Sequence, residues 1–220
     1  MGYASKPALG AGLEKGRTGN NIHFRKADRW VNSMIKQPNE RLCWDLLNVR
    51  EDREYNLFSV EINTCRSPRT GLPHQFQVLR STDWVAVIAV TKEKEVVLVN
   101  QFRHGTRDLS LELPGGLVKP GQTPLKSAAE ELEEETGFTA PEMKLLGSMY
   151  PFPAIFTNSF YVYLAENAEP SGKIHPDETE EIETVLVPVG ELRNFIRDGK
   201  INCGIMIAAI GFLDLFSDVV

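Results

Sequence analysis

The sequence predicts a layered α+β or α/β sandwich in which strands outnumber helices. Two neighbouring runs, DWVAVIAVT and EVVLVNQFR, are almost continuously apolar and are separated by the charged turn KEKE. This pattern is typical of a hairpin whose strands are buried on both faces. A helix with clear start and stop signals follows, and strand patterns resume after it. The mixture favours helices packed on a central sheet.

Three segments are predicted along the chain, at 1–45, 46–82 and 83–220. The first twenty residues show no hydrophobic periodicity, and only a weak helical pattern runs from Phe24 to about Leu47. Strand signals in EYNLFSVEINTCRS and HQFQVLRS then flank the turn PRTGLP. These signals predict an N-terminal antiparallel β-hairpin region.

The central helix is predicted between Thr123 and Gly137. Thr123 followed by proline is a good N-cap and first-turn pair, and Gly137 supplies a left-handed stop. The 3.6-residue period places one set of side chains toward the core: Leu125, Ala128, Ala129 and Leu132.

The segment after this helix returns to strand patterns. Strands are predicted at EMKLLGSMYPFP, SFYVYLAENAEP and TVLVPV, and an acidic loop is predicted at SGKIHPDETEEIE. Helices are predicted at GELRNFIRDG and at about residues 204–216. The chain therefore alternates between the two kinds of element.

Composition limits the possible partners. The net charge is −6, without the basic excess usual in proteins that bind nucleic acids or anionic membranes. The three cysteines, Cys43, Cys65 and Cys203, are far apart and lack metal-site spacing, which favours a reducing compartment. No apolar run resembles a signal peptide or spans a bilayer. We expect a soluble, cytoplasmic protein.

Five glutamates occupy the six positions 130–135 of the predicted helix. Like charges three or four residues apart repel each other on a helix, so this density indicates either a solvated acidic face or a site for a cation. Glu131, Glu134 and Glu135 lie together at the edge of the buried face, whereas Glu130 and Glu133 lie further toward solvent. The first three could converge on a hard cation such as Mg²⁺ or Mn²⁺.

The sequence of the loop before this helix favours a cation site over a solvated acidic face. The pattern Gly, five residues, Glu, seven residues, Arg-Glu-apolar-any-Glu-Glu-any-Gly-apolar defines the box motif of the Nudix hydrolases, which this chain resembles. The chain supplies these residues in register: Gly116, Glu131, Leu132, Glu134, Glu135, Gly137 and Phe138. The wider context, VVLVNQFRHG followed by LELPGGLV, resembles the ADP-ribose and nucleotide-sugar pyrophosphatase branch. The resemblance implies a Nudix fold, an αβα sandwich around a mixed β-sheet.

Two residues depart from the motif. Gln122 stands in place of the first glutamate, and Glu130 stands in place of the arginine. In the family this arginine is four residues before Glu134's position and can pair with it, so the change predicts repulsion instead of attraction. Lys126 can offset Glu130 in part but lies away from Glu134. A carboxylate without a partner has a raised pKa, so we expect an unusually strong dependence on the metal, which Glu130→Arg should relax.

The resemblance also implies roles for individual residues. Metal ligands are expected at Glu131 and Glu135 and at the carbonyl of Gly115, with Glu134 as a further ligand or orienting group. The catalytic base, or another ligand, is expected in the acidic loop, with Glu180 the first candidate and Glu178 the second.

Substrate-binding positions follow from the same resemblance. Arg103, in NQFRHG, corresponds to an arginine near the substrate, and a guanidinium suits phosphate. Glu112, in LELPGG, corresponds to a residue that lines the substrate pocket. A surface ion pair and an edge-strand carboxylate are the respective alternatives.

The implied activity is metal-dependent hydrolysis of a nucleoside diphosphate linked to a sugar, with ADP-ribose the leading substrate. The products would be AMP and ribose 5-phosphate. A homodimer through the N-terminal strands is implied by the family alone. The alternative is a catalytically weakened nucleotide-binding or regulatory module, suggested by Gln122 and Glu130.

Overall fold

The computed structural model describes residues 40–172, 174 and 181–216. Two compact units are distinguished, Met1–Cys43 and Trp44–Val220. The described part of the first contains a 3-10 helix at Glu40–Leu42. The segment boundaries expected after residues 45 and 82 stay predictions.

The second unit begins with a three-stranded antiparallel sheet in the order β1-β2-β3. Its strands are β1 (Asp45–Glu54), β2 (Phe58–Arg66) and β3 (Pro73–Ser81). The predicted hairpin of β2 and β3 is therefore present. The helical pattern extended to Leu47 was wrong at its end, because β1 already begins at Asp45; the earlier part of that pattern lies outside the described residues. Every residue of β1 is exposed, so no alternation of burial marks this strand in the sequence.

A seven-stranded mixed sheet forms the centre of this unit. Its strands are β4 (Trp84–Thr91), β5 (Glu95–Arg103), β6 (Asp108–Glu112), β7 (Phe138–Thr139), β8 (Glu142–Met149), β9 (Phe160–Pro170) and β10 (Ile182–Pro188). The order is β10-β5-β4-β9-β7, with β6 beside β5 and β8 beside β9. The β4–β9 pair is parallel and the other pairs are antiparallel.

Helices cover both faces of this sheet: α1 (Pro124–Thr136), α2 (Leu192–Arg197) and α3 (Gly204–Phe216). Side chains of β4 alternate between two hydrophobic clusters, as the period of two requires. Ile88 joins Ile210 of α3 in one cluster, and Val87 joins Leu132 of α1 in the other. The predicted sandwich is confirmed. None of the helices in the described ranges has the length and apolarity needed to cross a membrane.

The ends of α1 follow the sequence signals. The Thr123 hydroxyl accepts the backbone N–H of Lys126 at 3.3 Å. Gly137 has φ of 70° and donates its N–H to the Glu133 carbonyl at 2.8 Å. This left-handed conformation is one that glycine adopts without steric cost.

The buried face of α1 is rotated from the predicted one. Ala128 and Leu132 are buried as expected, but Leu125 and Ala129 are exposed. The buried face instead includes polar residues, Ser127, Glu135 and Thr136. Hydrogen-bond partners in the protein offset the cost of burying these groups, and a hydrophobicity pattern cannot reveal such partners.

The loop between β6 and α1 lies directly against the backbone of β4. Gly116 and Val85 exchange hydrogen bonds of 3.1 and 2.9 Å, and the Val87 N–H donates to the Pro114 carbonyl at 2.9 Å. A Cβ atom added to Gly115 would lie 2.1 Å from the Val85 carbonyl oxygen. Only glycine therefore allows this approach, which fixes the loop relative to the sheet.

We expect Gly115→Ala to lower the melting temperature by roughly 5–10 °C, the effect of overpacking against a backbone that cannot move. Gly105→Ala is the matched control, since a Cβ there meets no atom within 4 Å. Calorimetry of both variants tests the constraint. Equal melting temperatures would contradict it.

Candidate active site

The glutamates of α1 face the loop that β4 holds in place. A Cβ atom on Gly116 would lie 2.8 to 3.0 Å from the atoms of the Glu131 carboxylate. The carboxylate therefore occupies the space that any larger residue at position 116 would need. This contact explains why a glycine and a glutamate fifteen positions apart belong to one motif.

Glu135 is the most enclosed carboxylate of the group. Its residue is 3% exposed, and its Oε2 accepts the Gly115 N–H at 2.8 Å. This bond joins the last turn of α1 to the tight loop under β4. Glu135 and Glu131 thus lie against two consecutive glycines.

The Glu134 carboxylate contacts a cation from the loop, the ammonium group of Lys119. The Lys119 Nζ donates to the Glu134 Oε2 at 2.7 Å and lies 3.4 Å from the Glu130 Oε2 and 3.9 Å from the Glu131 Oε1. Burial alone would lower the pKa of Lys119, but the bonds and charges of the surrounding carboxylates outweigh it, so this pKa is raised. Lys119 is therefore protonated when it contacts the cluster.

Glu130 also has partners, which corrects the expectation of an unpaired carboxylate. The Gln122 Nε2 donates to its two oxygens at 3.3 and 3.1 Å. Lys126 contributes an ion pair at 3.5 Å, the partial offset that the helix spacing predicted. The pKa of Glu130 is lowered, first by the bond from Gln122, against a smaller effect of burial, and then by Lys119 and Lys126. The expectation of an unusually strong metal dependence loses its basis.

Arg103 and Glu112 form a bidentate ion pair beside this cluster. The Arg103 Nε and Nη2 donate to the two Glu112 oxygens at 2.9 and 2.7 Å. Glu112 is 3% exposed as a residue, whereas the Arg103 side chain is 45% exposed. The bond to Glu112 raises the pKa of Arg103 against the effect of burial, and the charges of Glu112 and Glu135 add to the rise. Arg103 is thus a fixed cation near the glutamates.

The structure does not bring the remaining predicted site residues together in a metal site. Glu178 and Glu180 lie outside the described residues. Within residues 40–172, 174 and 181–216, no group of three or more His, Cys, Asp or Glu side chains is placed so that it could hold a metal ion. As they stand, the Glu134 carboxylate is directed at Lys119 and the Glu135 carboxylate at the loop.

Lys119, Ser127 and the partnership of Gln122 with Glu130 were missed in the sequence. The available signal was Lys119 itself, a cation three residues after Gly116 in the motif loop. Its distance along the chain from Glu134 gave no indication of contact. Only the path of the loop over α1 brings them together.

The fold and the loop–helix arrangement together define a Nudix-type protein. The family model described as NUDIX domain matches residues 81–203, more than half of the chain. The chain therefore belongs to the Nudix family, as the motif residues indicated.

The chain is also similar to individual curated proteins, and its fold is similar to a solved structure. The chain is 30% identical over 146 residues to an ADP-ribose pyrophosphatase of Bacillus subtilis (strain 168), covering 66% of this chain and 79% of the relative. It is 29% identical over 146 residues to a methanol dehydrogenase activator of Bacillus methanolicus, with the same shares covered. A solved structure of an ADP compounds hydrolase matches with a TM-score of 0.70 at 23% identity, covering 78% of this chain and 92% of that one.

The contact between Gly116 and Glu131 leads to a prediction. Gly116→Ala should change the melting temperature little, because the group it displaces is the end of a flexible side chain. If Glu131 is a metal ligand, the same change should weaken Mn²⁺ binding on the order of tenfold, as changes to the supporting residues of metal sites do. Calorimetric titration with Mn²⁺ measures it, with Gly105→Ala as the control. Unchanged affinity would remove the support for Glu131 as a ligand.

Proposed function

We propose that this Nudix hydrolase cleaves the pyrophosphate bond of a nucleoside diphosphate linked to a sugar. ADP-ribose is the leading substrate, giving AMP and ribose 5-phosphate. The single observation that carries the proposal is the enclosure of Glu131 and Glu135 against Gly115 and Gly116. The relative named ADP-ribose pyrophosphatase supports the substrate class.

Mg²⁺ or Mn²⁺ is the proposed cofactor. The donors available are carboxylates of Glu131, Glu134 and Glu135 and the carbonyl of Gly115, and such hard oxygen ligands suit these ions. The contact of the Glu131 carboxylate with Gly116, where a Cβ atom would not fit, supports Glu131 as one of these donors. When bound, the ion would neutralise phosphate oxygens and lower the pKa of a bound water.

Arg103 is proposed to bind a substrate phosphate. Two of its nitrogens are engaged with Glu112, and its side chain is partly exposed. Because Glu112 is buried, its proposed contribution to substrate binding is to hold the guanidinium in one orientation. A guanidinium fixed in this way loses less entropy when it binds a phosphate.

The proton acceptor remains a prediction from the acidic loop. Glu180 is the first candidate and Glu178 the second, and neither lies among the described residues. A carboxylate suits the role because a general base needs to reach the attacking water and accept one proton.

A second candidate function is binding or regulation without turnover. The departures Gln122 and Glu130 motivate it, and one relative is named as an activator of another enzyme. Against it, the motif glutamates Glu131 and Glu135 are retained and both lie against the glycine loop. We therefore favour hydrolysis.

The hydrolase proposal is tested with ADP-ribose, GDP-mannose, a dinucleoside polyphosphate and NADH, each assayed with Mg²⁺ or Mn²⁺. We expect AMP and ribose 5-phosphate from ADP-ribose. Glu135→Gln should lower kcat by about 100-fold or more, equivalent to about 2.7 kcal/mol at 1.36 kcal/mol per tenfold change. The amide oxygen of glutamine can still accept the Gly115 N–H, so the fold should survive.

Glu133→Gln is the matched control, because Glu133 belongs to the same helix but not to the proposed ligand set. Its rate should stay within about twofold of the unmodified protein, as expected for a half-buried residue outside the ligand set. Failure to hydrolyse every compound, with calorimetry still detecting nucleotide binding, would instead establish the binding module.

A homodimer through the N-terminal sheet is also proposed. β1 is an exposed edge strand of ten residues, and long exposed edges normally pair or are covered. One face of the sheet carries a shallow apolar pocket of about 350 Å³, lined by Trp44, Asn63, Cys65, Phe76 and Val78. A second copy of the chain would bury both features.

The dimer proposal predicts that Phe76→Glu yields a monomer in light scattering coupled to size exclusion. Phe76 is 41% exposed, and a buried charge at an interface without a partner is costly. Leu186→Glu is the control, since Leu186 is 43% exposed on β10 of the other sheet. A monomeric unmodified protein, or a dimer that persists in Phe76→Glu, would contradict the proposal.

A further inference from the structure

The residue four positions before Glu134 on α1 is acidic, so the helix itself supplies no cation there. Lys119 supplies one from the loop instead, at 2.7 Å from the Glu134 Oε2. The same ammonium lies 3.4 Å from Glu130 and 3.9 Å from Glu131. One positive charge thus serves three neighbouring carboxylates, and ion-pair networks of this kind contribute more than isolated surface pairs.

A hydrogen bond to a buried side chain fixes the backbone of Lys119 relative to α1. Its backbone N–H donates to the Ser127 Oγ at 3.1 Å. Ser127 is fully buried, so the position of its hydroxyl is set by the packing of the helix. The ammonium therefore reaches the glutamates from an anchored residue, although its own side chain is 36% exposed.

Ser127 also orients the amide of Gln122. Its hydroxyl donates to the Gln122 Oε1 at 2.9 Å, which leaves the Nε2 to donate to Glu130. A glutamate at position 122 would direct a second carboxylate at Glu130. The amide of Gln122 avoids this repulsion by donating to Glu130, so the two departures from the family motif compensate each other.

Lys126 cannot take the place of Lys119 in this cluster. It contacts Glu130 at 3.5 Å, but its side chain is 62% exposed and it lies one turn before Glu130, away from Glu134. Lys119 instead reaches Glu130 and Glu134 together. The two lysines therefore offer a matched comparison within one cluster.

We propose that Lys119 is a positioning residue that orients Glu134 and the adjacent carboxylates for a divalent cation. In this role it replaces the arginine that the family motif places at position 130, and the Ser127–Gln122–Glu130 network makes the replacement possible. The inference rests on the proposed metal site. It concerns how this chain prepares the ligands, not which ligands bind.

The first experiment measures Mn²⁺ affinity by calorimetry, without substrate. Lys119→Met should weaken binding on the order of tenfold, the usual consequence of removing a group that orients a metal ligand. Lys119→Arg should restore most of the affinity, and Lys126→Met should change it less than twofold. Circular dichroism and melting curves establish that each variant is folded.

The second experiment exchanges the source of the cation. Glu130→Arg in the unmodified chain should weaken Mn²⁺ binding, because the new guanidinium would meet Lys119 and Lys126 and lose the bond from Gln122. In the Lys119→Met background, combined with Gln122→Glu, the same change should strengthen binding. This reversal of sign would distinguish the inference from the expectation, based on helix spacing, that Glu130→Arg lowers the metal requirement.

A structural test without metal completes the design. If Lys119 holds Glu134, the fall in melting temperature of Lys119→Met with Glu134→Gln should be smaller than the sum of the two single effects. Additive effects would overturn the inference. So would unchanged or tighter Mn²⁺ binding in Lys119→Met, the latter showing that Lys119 competes with the ion.

The two proposals fail in distinguishable ways. An unmodified protein that does not bind Mn²⁺ would overturn both the metal site and the positioning role. Normal binding and turnover with no effect of Lys119→Met would overturn the positioning role alone. Mn²⁺ binding that depends on Lys119 without any hydrolysis would support the inference and overturn the proposed activity.

Discussion

The close approach of the Pro114–Gly116 backbone to β4 determines the geometry of the rest of the site. The two segments exchange backbone hydrogen bonds, and no Cβ atom fits at Gly115. β4 is buried along most of its length between helices on both faces. Because the loop is bonded to this closely packed strand, its position is fixed relative to the core. Glu135 then accepts the Gly115 N–H, so the sheet, the loop and α1 are fixed relative to one another.

The fixed arrangement of the sheet, the loop and α1 has a functional consequence. Enzymes that depend on charge placed in advance need side chains held to within a fraction of an ångström, and such precision comes from supporting contacts. The Glu131 carboxylate lies in the space left free by Gly116, and the Glu135 carboxylate is held by a hydrogen bond. Glu134 is held by Lys119. Three glutamates that look equivalent in the sequence therefore have three different surroundings.

The sequence predicted the class of fold and most elements because their signals are local. The apolar runs of β4 and β5, the Thr123 cap and the Gly137 stop each depend on residues a few positions apart. β1 was not predicted because all its residues are exposed, so no alternation between buried and exposed positions marks it in the sequence. The rotation of α1 was not predicted because Ser127 and Glu135 are buried with hydrogen-bond partners in the preceding loop, outside the helix.

The candidate site shows the same limit. Motif spacing brought Glu131, Glu134 and Glu135 to attention, but the sign of the interaction at Glu130 could not be predicted from helix spacing. That prediction considered neighbours on α1 alone, whereas Gln122 and Lys119 come from the loop. A pairing rule for isolated helices omits every charge that the tertiary fold adds.

The same contacts bear on whether the altered motif reflects decay. Loss of function would relax each position separately, and a glutamate replacing an arginine would then face its neighbours without compensation. Here the amide of Gln122 is oriented by a buried hydroxyl toward Glu130, and a loop lysine takes the place of the missing cation. Because a half-satisfied polar network costs more than none, a connected set of partners argues for a maintained arrangement. The altered motif is therefore better understood as a rearranged charge network than as a damaged one.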